Sequence, residues 1–557
     1  MSERASNRRI RLLLALFALV FIGTLGRAVW LQGIQASTLA QLATRQQEQT
    51  TVIPAARGTI YDRTGEPLAI GDQATTVFAD PKLVKQPRQV ALAAQQLLGA
   101  DAAELIPLLA DRSRRFVYLA RKADPAKAAE LEQRRLAGVG FYPEELRTYP
   151  QRAVAAQLLG FTDVDNKGLE GLEAALDRSL AGRPGRQTTV SDPAGRVIQV
   201  VRSTPERAGA DVFLTIDRRI QETTERVLRE TVKTWSAKGG NAVVLDPRTG
   251  AVLAMAVAPG YDANRFASAS AARRRNRAVT DIYEPGSTFK VVTVAAVLSE
   301  KLVTPSTSFT LDDSIRVADR IINEHEPRPT ERMTVAQILA RSSNIGTITL
   351  AQRLGEERLR DWIGRFGFGK PTGIDAPGES HGLLPGYWSG STIGNVPIGQ
   401  GIGVTPIQMA SAYAALANGG VLRKPYVVDR VGGARRARPP GRRIVSETVA
   451  AQMMAMLRDV VSAEGGTGAA AAIDGYTVAG KTGTANKPIP GGYSSTKYFA
   501  SFVGIVPAKN PRLVVLVSID EPTGTIYGGV VAAPAFSEIA RSSLVELEVP
   551  PDAADAR

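Results

Sequence analysis

Residues 12–31 form an apolar run with a single charge, Arg27. As a helix this run is about 30 Å long, enough to cross the hydrocarbon core of a bilayer. Arg4, Arg8, Arg9 and Arg11 precede it against one acid, Glu3, and a positive flank stays on the cytoplasmic side. Arg27 lies near the outer end, where a guanidinium can snorkel to the headgroups, and Trp30 falls in the aromatic belt. The competing reading is a cleaved signal peptide, because "GIQAS" (33–37) offers small residues to a peptidase, although the run is long for one. In either case the chain beyond about residue 35 lies outside the cytoplasmic membrane, since no second stretch of spanning length follows.

The 557 residues exceed what one ordinary core holds, so two or more domains are expected. The chain has no cysteine and two histidines, His325 and His381. The usual zinc and iron–sulfur ligand sets cannot be assembled from these, and neither histidine lies near a nucleophile-elbow pattern. No metal and no cofactor is expected. A net charge of +14 is spread over the chain, with local clusters at Arg273, Arg274, Arg275 and Arg277 and in "RVGGARRARPPGRR" (430–443). Without aromatic interleaving or a binding motif these clusters read as solvated basic loops, with no nucleic-acid partner.

Past the anchor, "ARGTIYDRTGEPLAI" reads as a hairpin turning at Arg63-Thr64-Gly65. Residues 84–136 are alanine- and leucine-rich with helical spacing. Two helices around a loop of Asp163, Asp165, Asn166 and Gly168 follow; calcium ligand spacing is missing there, so turn chemistry is the reading. Strands are expected at 187–201 and 211–216, and an amphipathic helix beginning at Asp217. The composition then shifts. "NAVVLDPRTGAVLAMAVAP" is a strand pair, helices occupy 287–300, 334–354 and 406–418, a strand-turn-strand runs through 498–520, and a helix covers 534–547. Strands at both ends with helices between them predict one sheet built from sequence-distant strands, an α/β (α+β layered) domain. The expected boundaries are 1–11 cytoplasmic tail, 12–31 anchor, 32–215 N-terminal domain, 216–548 catalytic domain and 549–557 disordered tail.

"EPGSTFK" (284–290) places Ser287 one helical turn before Lys290. The pair is a nucleophile and base on one helix face, or a cap followed by a surface charge, and local sequence leaves both open. Ser494 and Lys497 have the same spacing in a glycine-rich loop, which shows how little S-x-x-K means alone. Company decides: "SSN" (342–344) interrupts an apolar region between helices, and "GKTGT" (480–484) follows "YTV" (476–478). In this order the three form the S-x-x-K, S-x-N and K-T-G set of active-site serine acyl transferases.

Together with "GRAVWLQ", "RGTIYDRTGEPLA", "GFTDVDNKGLEGLE", "AVVLDPRTGAVLAMA", "GQGIGVTPIQMASAYAALANGG" and "EGGTG", these motifs make the chain resemble the class B penicillin-binding proteins over nearly its whole length, and among them the septal, FtsI-type D,D-transpeptidases. The resemblance implies a single membrane helix and an elongated pedestal, the penicillin-binding protein dimerisation-type domain, at 32–215. It also implies a penicillin-binding transpeptidase domain of the serine β-lactamase-like fold at 216–548. The implied partners are peptidoglycan stem peptides (a D-Ala-D-Ala donor and an amine acceptor), β-lactams, a membrane-embedded SEDS-family glycosyltransferase of the FtsW type, and other division proteins. An elongation transpeptidase of the same chemistry, or a non-catalytic β-lactam sensor or division scaffold, are the alternatives. A β-lactamase would need a deacylating glutamate and water, and no anchor.

The resemblance also carries roles. Ser287 attacks the carbonyl between the terminal D-alanines, with Lys290 as its neutral base. Bringing a lysine from about 10.4 to about 7 costs about 4.6 kcal/mol, which burial and the second cation Lys481 are expected to supply together. The backbone N–H groups of Ser287 and Thr484 hold the oxyanion. Ser342 relays a proton to the departing amine, Asn344 bonds Lys290 and the substrate amide, and Lys481, Thr482 and Thr484 receive the terminal carboxylate. Gly483 lets that backbone come close.

Overall fold

The computed structural model describes residues 3–35, 48–191 and 197–553. The chain divides into two compact units, Met1–Ala56 with Gly182–Gly209, and Arg57–Ala181 with Ala210–Arg557.

In the first unit the apolar run is part of one helix, Glu3–Val29, extended by a π-turn over Trp30–Ile34. Mean hydropathy reaches 2.3 within Asn7–Ile34, and none of that stretch is covered by other parts of the protein. By length and composition this helix is a candidate membrane span. The alternative cleavage stretch 33–37 falls partly outside the described residues. Three antiparallel strands complete the unit: Gly185–Ser191 lies between Glu48–Ile53 and Val197–Thr204.

The second unit holds a five-stranded antiparallel sheet in the order Val252–Ala258, Gly239–Leu245, Leu513–Asp520, Gly492–Val506, Ala479–Ile489. Alternate residues of each strand face opposite sides. Ala242 and Val244 pack with Ile220, Val227, Phe536 and Ile539 of the helices Arg218–Thr234 and Ala533–Glu546. Val243 and Leu245 share a core with the helices Lys290–Ser299, Pro406–Ala417 and Glu447–Ser462. Both faces are covered, which is why these strands are apolar without alternation and entirely buried. This is the layered sheet expected from strands at the two ends of the region.

A second sheet runs through Val428–Val431, Val212–Leu214, Ile60–Tyr61 and Pro67–Ala79, with Val117–Ala123 and Val139–Thr148 both paired to Pro67–Ala79. The expected hairpin is Ile60–Tyr61 with Pro67–Ala79. Asp62 makes its turn, accepting from the N–H groups of Thr64 and Glu66 at 2.7 and 2.9 Å. Asp163 does the same in the next loop, accepting from Asp165 and Lys167, so turn chemistry is what this aspartate performs.

Three readings are corrected. Residues 84–136 are not helical throughout: Val117–Ala123 is a strand between the helices Ala102–Ala110 and Pro125–Gln133. The basic segment 430–443 is a loop only in part, over 436–441. Val428–Val431 and Ala434–Arg435 form a hairpin turning on Gly432 and Gly433, both left-handed, and Arg430 stacks on Phe213 at 4.0 Å. Its cations are used locally, Arg438 over Tyr426 at 3.8 Å and Arg436 on Asp375 at 3.3 Å. The tail forms no helix or strand, yet Asp552 accepts from the backbone N–H of Thr477 at 2.7 Å and Tyr476 bonds Val549, so it is tied down as far as the description extends. Residues 554–557 lie outside the described residues.

Candidate active site

"EPGSTFK" becomes a 3-10 turn, Gly286–Phe289, that runs into the helix Lys290–Ser299. The turn is braced from three sides. Gly286 N–H donates to the carbonyl of Gly399 at 3.0 Å, Thr288 Oγ1 donates to Pro285 O at 2.8 Å, and the buried Tyr413 hydroxyl donates to Thr288 O at 2.8 Å. Gly286 is left-handed, with φ +55°. A β-carbon on Gly399 would stand 2.1 Å from Gly286 O, so the two backbones meet at a distance only glycine permits.

Lys290 lies one turn beyond Ser287, fully buried among the valines and alanines of its helix. Its Nζ donates to the Ser342 carbonyl, to Asn344 Oδ1 at 2.8 Å and to Ser342 Oγ at 3.3 Å. Burial pulls this ammonium down to about 7, against the carboxylate of Glu324, which raises it. Ser287 itself is half-buried, and its hydroxyl has no hydrogen-bond partner among the described residues. The structure therefore brings Lys290, Ser342 and Asn344 into direct contact and places Ser287 on the adjoining turn.

"SSN" breaks two helices as expected, Val335–Ala340 before it and Asn344–Leu354 after it. Ser342 takes a left-handed conformation, φ +61°, which turns both its carbonyl and its hydroxyl toward Lys290. Ser343, the residue that the motif leaves unspecified, caps the second helix by accepting from Gly346 N–H at 2.9 Å.

Lys481, Thr482, Gly483 and Thr484 stand on the edge strand Ala479–Ile489. Lys481 is fully buried and donates to Thr482 Oγ1 at 3.2 Å; Thr482 Oγ1 also bonds Thr467 Oγ1 at 2.7 Å. Burial, and then the charge of Lys290, push Lys481 well below the ordinary lysine range. Both lysines are thus held below the ordinary lysine range, chiefly by burial, and Glu324 acts against this at Lys290. Gly483 is needed for a close approach, but to protein: a β-carbon there would meet Ser501 Oγ at 2.4 Å and Pro285 O at 3.0 Å. Thr484 Oγ1 accepts from Gly528 N–H at 3.3 Å.

Ser494, of the second S-x-x-K, sits in the strand Gly492–Val506, and its hydroxyl accepts from the backbone N–H groups of Thr496 and Lys497. Lys497 pairs with Glu521 at 3.7 Å. That spacing builds a turn and no reactive pair. Sequence reasoning passed over Thr467 and Glu324. Thr467 lies within the quoted string "EGGTG"; Glu324 belongs to no motif. No cluster of three metal-ligating side chains occurs among the described residues.

Residues 240–541 match the penicillin binding protein transpeptidase domain, and residues 52–214 match the penicillin-binding protein dimerisation domain. The chain is 36% identical to the probable peptidoglycan D,D-transpeptidase PenA of Neisseria meningitidis, over 98% of this chain and 94% of that protein. It is 36% identical to the peptidoglycan D,D-transpeptidase FtsI of Escherichia coli K12, over 97% of this chain and 91% of that protein. The crystal structure of penicillin-binding protein 3 from Mycobacterium tuberculosis, complexed with aztreonam, superposes with a TM-score of 0.72 at 31% identity, covering 90% of this chain and 98% of that one.

Proposed function

The chain belongs to the class B penicillin-binding proteins, with a transpeptidase and a dimerisation domain, and on that premise we propose that it is a septal peptidoglycan D,D-transpeptidase working through a serine acyl-enzyme. One observation carries the reading. A fully buried lysine, held down to about 7 and bonded to the S-x-N residues, lies one helical turn from a serine whose hydroxyl has no partner among the described residues.

In the first half-reaction Ser287 Oγ bonds to the carbonyl carbon between the terminal D-alanines, and its proton passes to the neutral Lys290 amine. The backbone N–H groups of Ser287 and Thr484 receive the charge that develops on oxygen. The peptide C–N bond then breaks. The proton moves from Lys290 through Ser342 to the departing D-alanine amine, and an ester remains on Ser287. In the second half-reaction an amine of a neighbouring stem peptide bonds to the ester carbonyl carbon and gives up a proton through Ser342 to the neutral Lys290; the ester C–O bond to Ser287 then breaks, and Lys290 passes that proton to Ser287 Oγ. Asn344 holds the Lys290 amine and the substrate amide, and Thr482, Thr484 and Lys481 take the terminal carboxylate. A β-lactam enters by the same first step and stays as the ester.

The arginines before the apolar helix support a cytoplasmic N-terminus with residues beyond the anchor outside it. In that setting the partners are a membrane-embedded SEDS-family glycosyltransferase of the FtsW type and other division proteins. Domain limits of 32–215 for the pedestal and 216–548 for the transpeptidase belong to the same proposal.

Mass spectrometry of the protein after penicillin treatment is expected to find one adduct, on the peptide containing Ser287, and none in Ser287→Ala. An adduct elsewhere overturns the assignment. Depletion is expected to give filamentous cells; rounded cells would indicate the elongation role.

A further inference from the structure

We infer that Glu324 is a positioning residue for acylation, holding the turn that presents Ser342 and Asn344 to Lys290 and supplying the negative charge that this buried lysine faces. The inference rests on the transpeptidase reading above.

Glu324 directly follows the strand Arg320–Asn323, which pairs with Ser314–Val317, and its own N–H donates to Asp313 O at 2.8 Å. The hairpin thus delivers the side chain inward, where it is 6% exposed. Its two oxygens accept from Ser343 Oγ, from the backbone N–H groups of Asn344 at 2.8 Å and Ile345 at 3.3 Å, and from Arg328 at 3.0 Å. Asn344 and Ile345 open the helix Asn344–Leu354, where the N–H groups lack intrahelical partners and the dipole favours an anion. Burial alone would raise this carboxyl. The bonds from Ser343, Arg328 and Asn344, and the charge on Lys290, win and lower it, so it is ionised in the working range.

Ser343 links the carboxylate to the motif. Its hydroxyl donates to Glu324 and accepts from Gly346 N–H, so the cap of the helix and the seat of the carboxylate are one hydrogen-bond chain. With Ser343 and Asn344 pinned from this side, Ser342 is held in its left-handed conformation and Asn344 Oδ1 stays on Lys290. Glu324 does not itself bond Lys290; it acts through the turn and through its field. The charged groups around Glu324 are Arg328 and, across the turn, Lys290; Arg328 also reaches Glu331 at 3.8 Å, and Glu331 is bound in turn by Arg341. Around Lys290 the charged groups are Glu324 and Lys481. The adjacent His325 turns away, its ring edge-on to Tyr527 at 5.4 Å.

These two routes leave different signatures. Removing the charge lets Lys290 lose its proton at lower pH, so the acidic limb of the acylation profile moves down. Loosening the turn lowers the plateau at every pH. The test follows acylation of the full-length protein by a fluorescent penicillin between pH 5.5 and 9, alongside its Tm. Glu324→Gln keeps the length and one acceptor oxygen; its acidic limb is expected about one pH unit lower, with a plateau about tenfold below wild type. Glu324→Ala, which orphans Asn344 N–H and Ser343 Oγ, is expected to fall about a hundredfold. Glu324→Asp restores the charge at shorter reach and is expected to return the limb to its wild-type position with a plateau still reduced. A lower Tm with an unmoved limb in Glu324→Gln overturns the inference in favour of a purely structural cap, as does a plateau within twofold of wild type. Wild-type protein that takes no penicillin on Ser287 would instead overturn the transpeptidase reading, so the two failures are distinguishable.

Discussion

Lys290 sets the chemistry because of where its amine is, fully buried with three oxygens in front of it. A base must be neutral to accept a proton, so acylation is expected to rise with pH through about 7 and level off above it. The same burial has a stability consequence. The folded-state pKa is depressed from 10.5 to about 7, so below pH 7 both states carry the proton and the fold bears the full cost, about 5 kcal/mol. Between about 7 and 10.5 only the unfolded state holds the proton, and the cost shrinks as pH rises. Lys290→Met removes that charge while leaving Ser342 and Asn344 without a donor. Its Tm relative to wild type is therefore expected to be highest at pH 6 and to decline by pH 9. A Tm difference that does not change with pH would contradict the assignment of this lysine as the group that titrates in the core.

The site is made where elements meet. The serine turn is held against the turn at Gly399 and the strand bearing Gly483, contacts with no room for a side chain. Gly399→Ala would force Gly286 away, since φ is +80° there and its β-carbon would overlap Gly286 O. Acylation about a hundredfold slower, with the far-ultraviolet circular dichroism of the folded protein intact, is the expected result; wild-type rates would show that the turn needs no such brace. Many elements were legible in advance because their signals are local. Asp217 caps Arg218–Thr234 by accepting from Arg219 and Ile220 N–H, and Thr405 and Gln408 form a capping box for Pro406–Ala417. The strand Val117–Ala123 was hidden because its flanks are helical and its partner, Pro67–Ala79, is remote in sequence. The hairpin in 428–435 had a local signal, Gly432-Gly433, but the surrounding arginines drew the reading toward a solvated loop.

At the scale of the molecule, two strings that looked like separate signatures converge on one buried charge network. Arg57, from "RGTIYDRTGEPLA", and Arg147 both donate to Glu173, from "GLEGLE", at 2.8 and 2.7 Å, and Arg57 also donates to Asp177 at 2.7 Å. All of these groups except Asp177 are almost wholly enclosed. Such a network stabilises little against an apolar alternative, but removing its centre takes the paired carboxylate from the buried Arg147 and leaves Arg57 with the partly exposed Asp177 alone. Glu173→Ala is accordingly expected to destabilise the fold by about 3–5 kcal/mol, read as a lower midpoint in urea. A change under about 0.5 kcal/mol, the size of a surface substitution, would mean that the network is hydrated.

By itself the sequence determined the apolar helix at the N-terminus, the strand pairs of the central sheet and the order of the three catalytic motifs, because each depends on composition, periodicity or spacing over a few residues. Only the tertiary structure decided that Lys290 and Lys481 are enclosed and that this burial depresses both, and that Glu324 faces the S-x-N turn. Desolvation and charge act through space, between groups that the chain holds far apart, and so have no local spelling in the residues that they govern.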